Sequence, residues 1–138
     1  MRKLKLIIFF ILNGIFLSAC NSAEPRDERV KGLYFRYEGA EYESALVQCL
    51  DERIWRVEGG EAFKELVNLY KSSAHSRYGE LFIEATGRFS PIDKTQFPNS
   101  HYVGVFRITG MINHSTDAQI IAECRKIQQT NKGSVLAK

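Results

Sequence analysis

The chain opens with a segment that reads as separate from any folded domain, and this sets how much sequence is left to build one. Met1 is followed by Arg2, Lys3 and Lys5, an unbroken apolar run from Leu6 to Leu12, and then Asn13-Gly14-Ile15-Phe16-Leu17-Ser18-Ala19-Cys20. A basic start, a short greasy stretch and small residues at the end are the parts of an export leader. The 14 residues from Leu6 to Ala19 reach about 21 Å as a helix, short of the roughly 30 Å hydrocarbon core, which favours a removed signal over a permanent span. The remaining 119 or so residues can bury about two thirds of their unfolded surface, enough for one core.

Removing the leader also changes the charge. The formal net charge is +3, from 19 Lys+Arg against 16 Asp+Glu, and Arg2, Lys3 and Lys5 account for the whole excess. Residues 20–138 are balanced, so they lack the surplus of cations that neutralising phosphates requires, and no nucleic-acid partner is expected. With 44% hydrophobic and 25% charged residues, the chain is neither a disordered acidic tail nor a multi-span membrane protein.

Leu17-Ser18-Ala19-Cys20 matches the bacterial lipobox, in which the Cys thiol is acylated before cleavage. Cys20 is therefore the expected lipidation site. The expected division is a signal peptide at 1–19, an acylated Cys with a polar tether at 20–29, one β-barrel domain at 30–128 and a flexible tail at 129–138. At about 0.8 kcal/mol per buried methylene, two or three acyl chains hold a protein to a membrane where one does not. By resemblance to known bacterial lipoproteins, Asn21 after the Cys implies passage to the outer membrane. The expected location is then the bacterial cell envelope, lipid-anchored and facing the periplasm. An ordinary secretory leader, with Cys20 incidental, or an uncleaved anchor is the alternative.

Acylation of Cys20 leaves Cys49 and Cys124 as the remaining thiols, and two thiols in an oxidising compartment usually pair. A bridge between them would close a loop of about 76 residues, for which the chain-entropy model gives 4–5 kcal/mol. Two buried free thiols are the other reading. No CxxC and no paired His accompany them, so no metal site is expected.

Alternation predicts strands over Val30–Tyr37, Tyr42–Cys49 and Arg53–Val57, with Cys49 facing the core. Phe63, Leu66, Val67 and Tyr70 then fall at i, i+3, i+4 and i+7, an amphipathic helix over Glu61–Ser72. Strands follow at Glu80–Phe89, with a bulge or bend at Gly87, and at Tyr102–Thr109, separated by a loop from Pro91 to Ser100. Asp117–Gln128 reads as a short helix capped by Ser115 or Thr116, with Ile120, Ile121, Cys124 and Ile127 inward, or as a further strand. Three strands, a helix and at least two more strands is the order of an oligonucleotide/oligosaccharide-binding (OB) barrel. The expected fold is thus mainly β, an OB-like barrel of five or more antiparallel strands with one inserted helix. A half-open sheet crossed by a helix fits the same order.

Gly32-Leu33-Tyr34-Phe35-Arg36-Tyr37, Ala45 four residues before Cys49, Trp55, the helix with Phe63, Leu66 and Tyr70, the run Leu81-Phe82-Ile83-Glu84-Ala85-Thr86-Gly87-Arg88-Phe89 and the last Cys at 124 together resemble the C-terminal OB-like domain of the NlpE lipoproteins of copper homeostasis and envelope stress. The resemblance implies a non-enzymatic envelope domain whose intradomain disulfide, here Cys49 to Cys124, reports on periplasmic oxidation. NlpE-like proteins add an N-terminal domain with a CxxC motif. This chain has no CxxC, and copper binding does not carry over.

No GxSxG, P-loop, HExxH or GxGxxG occurs, and no catalytic residue or cofactor is assigned. His75, His101 and His114 fall in loops or at strand edges, Asp51-Glu52 reads as a solvated turn, and Glu84 and Arg88 share a predicted sheet face. The aromatics Tyr34, Tyr42, Trp55, Phe82 and Tyr102 are the remaining candidates for stacking on a sugar or another planar ligand, with Trp55, Tyr34 and Phe82 assigned to ligand binding; the other reading is that most of them fill the core. The expected function is a non-enzymatic binding or envelope-sensing module, with the membrane and an envelope protein or glycan as partners. A surface inhibitor of a lysozyme-like enzyme and an envelope hydrolase are the alternatives.

Overall fold

The computed structural model describes residues 25–37, 43–73, 79–96, 98 and 100–135. Cys20, Tyr42 and His75 lie outside them, as do residues 136–138. Five strands, β1 (Glu28–Tyr37), β2 (Glu43–Gln48), β3 (Ile54–Gly59), β4 (Leu81–Pro91) and β5 (Gly104–Ser115), close into a barrel in the order β1-β2-β3-β5-β4. The helix α1 (Glu61–Ser73) joins β3 to β4, and α2 (Ala118–Val135) follows β5. This is a mainly β, OB-like barrel, as expected. One pairing differs from the all-antiparallel expectation: β3 and β5 are parallel, with Val57 opposite Phe106. The cause is the crossover, because α1 carries the chain from β3 to a β4 that pairs with β1, and β5 then returns into the gap beside β3.

Alternation decides what enters the barrel. Tyr34, Leu46, Val57, Leu81, Ile83, Ala85, Phe106 and Ile108 fill the interior, and α1 adds Leu66 and Tyr70 from its apolar stripe. Tyr34 is fully buried, its hydroxyl bonded to Ser44 Oγ at 2.8 Å and its ring set edge-on to Tyr70 at 5.4 Å. Burial pushes its phenol pKa above the ordinary value, with the Ser44 bond acting the other way. Gly59, at φ 154°, turns the chain from β3 into α1, and a Cβ there would lie 2.7 Å from the Ile108 carbonyl oxygen. Glu61 in the first turn of α1 and Lys71 in the last complement the helix dipole. The pairing of β4 with β5 shifts register between Glu84 and Ala85 and again between Thr86 and Gly87, the bend foreseen at Gly87.

The second helix departs from expectation in length, cap and face. It runs to Val135, well into the segment assigned to a flexible tail, and β1 begins at Glu28, two residues inside the expected tether. Asp117, rather than Ser115 or Thr116, caps it, accepting the Gln119 amide at 2.7 Å and the Ile120 amide at 3.3 Å. Cys124 is buried and Ile121 half-buried, but Ile120 and Ile127 are 37% and 44% exposed, and Gln128 is buried in their place. The reason is that α2 lies on the outside of the barrel, where a narrow ridge of Leu33, Phe82 and the disulfide supports it. Cys49 and Cys124 are bridged, with Cα atoms 4.8 Å apart. Cys49 is buried as expected but points out of the barrel, in step with Ala45 and Val47, because Leu46 takes the interior.

Candidate ligand-binding face

The three aromatics assigned to ligand binding do not share a surface. Tyr34 is a core residue with no exposed face, since its hydroxyl and ring are both spent on Ser44 and Tyr70. Phe82 is half-buried on the opposite side of the strands, against the disulfide under α2. Trp55 is half-buried on the inner side of β3, 4.4 Å from the Phe89 ring, with the Arg53 guanidinium 5.6 Å from its own centroid. Gly104 makes room for it, since a Cβ there would stand 2.5 Å from the indole ring. The indole Nε1 is buried without a hydrogen-bond acceptor.

Another surface has the shape of a site. The outward side chains of β1, β2 and β3 include Phe35, Ala45, Val47, Ile54 and Arg56, and the loop between β4 and β5 folds over one end of them. Ile92 and Tyr102 from this loop bury Ala45 completely. The loop is braced at several points. Tyr102 donates its hydroxyl to Glu43 Oε2 at 2.8 Å, and the Val103 amide donates to the Ile54 carbonyl at 3.0 Å. Lys94 Nζ reaches the carbonyls of Ser100 and Tyr102 at 3.1 and 3.3 Å. The Thr95 hydroxyl and amide bond the Asp93 carboxylate and hold its pKa below the ordinary range.

Two clefts flank this covered patch. The loop-side cleft, about 280 Å³, is lined by Glu43, Arg56, Ile92, Pro98, Ser100, His101 and Tyr102. The helix-side cleft, about 200 Å³, lies between Leu33, Phe35 and Val47 on the sheet and Arg125, Gln128 and Gln129 on α2, with Glu52 and Glu80 at its rim. Arg125 is ion-paired with Glu80, and Gln128 Nε2 donates to the Gln48 carbonyl at 2.9 Å. Phe35 lines the helix-side cleft and also packs against the loop cluster, so it joins the two. The face combines apolar floor with fixed hydrogen-bonding groups, which is how binding surfaces are equipped.

The other polar candidates are dispersed. His101 stacks on Tyr102 at 4.3 Å, while His114 is exposed near the end of β5. Asp51 accepts three hydrogen bonds from Arg53, a solvated turn as expected. Glu84 is buried and pairs with Arg29 at 2.5 Å, whereas Arg88 pairs with Asp27 at 2.6 Å, so the shared sheet face does not make Glu84 and Arg88 partners. Among the described residues, no group of three or more His, Cys, Asp or Glu is placed to hold a metal, and no helix is long and apolar enough to cross a membrane.

Glu43 and Arg56 were missed by sequence reasoning. Their signal is parity: Glu43 is in step with Ala45, and Arg56 lies opposite Ala45 in the register. No protein-family model, curated protein or solved structure matches the chain.

Proposed function

We propose that this protein is a non-enzymatic, lipid-anchored module of the bacterial envelope, probing an envelope protein or glycan through the outward face of β1, β2 and β3. The observation that carries this reading is the pairing of two clefts around Phe35, one walled by the braced β4–β5 loop and the other by a helix held by the Cys49–Cys124 bridge. A covalent staple on one wall and hydrogen bonds on the other limit the ordering needed on binding. The leader ending in Cys20 supports the anchor, and the resemblance to the NlpE C-terminal domain points to the same compartment. In this reading the disulfide keeps the helix-side wall in place under oxidising conditions.

The test is site-specific photo-crosslinking in intact cells. A photoreactive residue at Phe35 or Val47 is expected to capture an envelope component, and one at Arg88 or Arg107, on the outward face of β4 and β5, is not. Equal capture from both faces, or none from either, overturns the assignment. Labelling with a fatty-acid analogue, lost in Cys20→Ser, tests the anchor separately.

A further inference from the structure

We propose that the flank of α2 opposite the helix-side cleft is a membrane-contact edge, whose exposed aliphatic side chains dip into the bilayer that holds the lipid anchor; this rests on the anchored reading and adds a second attachment to it. Among the described residues the exposed large apolar side chains are Leu50, Val103, Ile112, Ile120 and Ile127, with Leu50 the most open at 70%. Scattered singly they need no explanation, but four of the five fall in one row. α2 crosses the outside of β1 at Leu33, with Ile121 packed beside Leu33 and Phe82 and Gln128 bonded to the Gln48 carbonyl. At 3.6 residues per turn, Arg125 and Gln129 face one side of this crossing, where they line the helix-side cleft with Phe35. Cys124 faces the other side, toward Cys49, whose amide donates to the Lys31 carbonyl. Ile120 and Ile127, two turns apart, lie beyond Cys124 on that same side. Register brings the other two to the same level: Lys31 pairs with Glu84 and Glu84 with Asn113, which places Ile112 beside them on β5, and Leu50 directly follows Cys49.

The occupant follows from where the chain enters. β1 begins at Glu28, on the Lys31 side of α2, and Asp27 before it is fastened to Arg88 and Thr109. Cys20 is seven residues ahead of Asp27, a span of at most about 25 Å at full extension, so an acyl chain there draws this side of α2 to the bilayer and leaves the helix-side cleft facing away. Isoleucine and leucine supply aliphatic bulk with no hydrogen-bonding demand, which an acyl boundary takes up, whereas protein-binding hot spots lean on Trp, Tyr and Arg. The neighbouring charges are matched within the protein, Arg29 and Lys31 against Glu84 and Arg88 against Asp27, so the contact is apolar rather than a response to anionic headgroups.

The experiment uses the acylated protein in vesicles of phosphatidylcholine with brominated acyl chains, and a fluorescent amino acid in place of Leu50, Ile112, Ile127, Gln129 or Glu65 in turn. Bromine quenching is expected at the first three positions and not at Gln129, on the cleft flank of α2, or Glu65, on the exposed face of α1. It should be unchanged by high salt or by added phosphatidylglycerol. Ile112→Ser, Ile120→Ser and Ile127→Ser combined should reduce quenching at position 50 to the level at position 129. Leu50→Gln, at the most open of the four sites, should reduce quenching at position 127 and serves if the triple variant fails to fold. Equal quenching on both flanks of α2, quenching that needs anionic lipid and vanishes in salt, or quenching untouched by either variant overturns the proposal. So does capture of a protein instead of lipid by a photoreactive residue at position 112 in cells. Fatty-acid labelling at Cys20 without quenching at positions 112 and 127 would reject this edge and leave the anchor standing; absence of labelling would reject both together.

Discussion

The hydroxyl of Tyr102 donates a 2.8 Å hydrogen bond to the carboxylate of Glu43 across 59 residues of sequence, fastening the β4–β5 loop to β2. A hydrogen bond to a charged group contributes about 1.5–3 kcal/mol, and the half-buried position of Glu43 places this one at the lower end. Tyr102→Phe keeps the ring and removes the donor. It should lower the urea midpoint by an amount equivalent to about 1–2 kcal/mol and speed amide exchange across residues 92–103, with the interior strands unchanged.

The Cys49–Cys124 bridge spans a sequence separation of 75, for which the chain-entropy model gives about 4.5 kcal/mol. Among the described side chains of the helix it holds, Cys124 and Gln128 are buried and Ile121 is half-buried, while the rest are exposed. Reduction should therefore release α2 before the barrel melts. Hydrogen exchange in the reduced protein is expected to show protection lost over 118–135 and retained in β1, β4 and β5. Uniform loss throughout would show that the helix and barrel unfold as one unit.

Asp27 supplies a pH dependence with a defined sign. Its carboxylate accepts the Thr109 hydroxyl and the Arg88 guanidinium, each at 2.6 Å, and these hold its pKa below 3.8, the Thr109 bond most strongly. A carboxylate with a depressed folded-state pKa contributes stability above its unfolded pKa, and the contribution is lost as pH falls through the folded value. Asp27→Asn should be less stable than the parent at neutral pH, and the two denaturation midpoints should converge in acid. The phenol of Tyr34 gives the opposite limb, since its raised pKa means stability present below pH 10 and lost as the solution becomes more alkaline.

Two glycines beside Trp55 and α1 should respond in opposite directions. A Cβ on Gly104 would meet the Trp55 ring and the Ser90 carbonyl oxygen at 2.5 Å, so Gly104→Ala is expected to destabilise by about 1–3 kcal/mol. Gly60 has open space around it and precedes α1, where its carbonyl accepts the Lys64 amide at 3.3 Å. Gly60→Ser adds a capping hydroxyl and should stabilise by a few tenths of a kcal/mol. Chemical denaturation of the two variants side by side checks both.

Much of the fold was legible because the period of apolar residues changes cleanly from two to 3.6 and back. Leu81, Ile83 and Ala85 alternate against Phe82, Glu84 and Thr86, and the first set is inside. What alternation cannot say is which of two apolar faces enters the barrel when both are covered. Ala45, Val47 and Cys49 look like a core face, yet the loop and α2 cover them from outside while Ser44 and Leu46 enter. The same ambiguity misplaced the binding residues. Large aromatics drew the assignment to Tyr34 and Trp55, which the barrel consumes, whereas Glu43 and Arg56 are single polar residues on short strands and come to line one cleft only when β2 and β3 align. Ile120 and Ile127 matched a helical stripe, but a helix resting on a ridge buries a narrower arc than one lying in a groove.

The placement of the sulfur bridge also has a mechanical consequence. Everything from Cys49 to Cys124, which includes β3, α1, β4 and β5, lies within one covalent ring, whereas β1 and β2 precede it. A pull between the two ends would act on β1 through its ladders with β2 and β4, and the extension released before the ring stops it is set by the residues outside the ring, those first strands and the part of α2 beyond Cys124. Oxidation would thus fix how far the molecule can be stretched, a property that single-molecule force measurements with and without reductant would read directly.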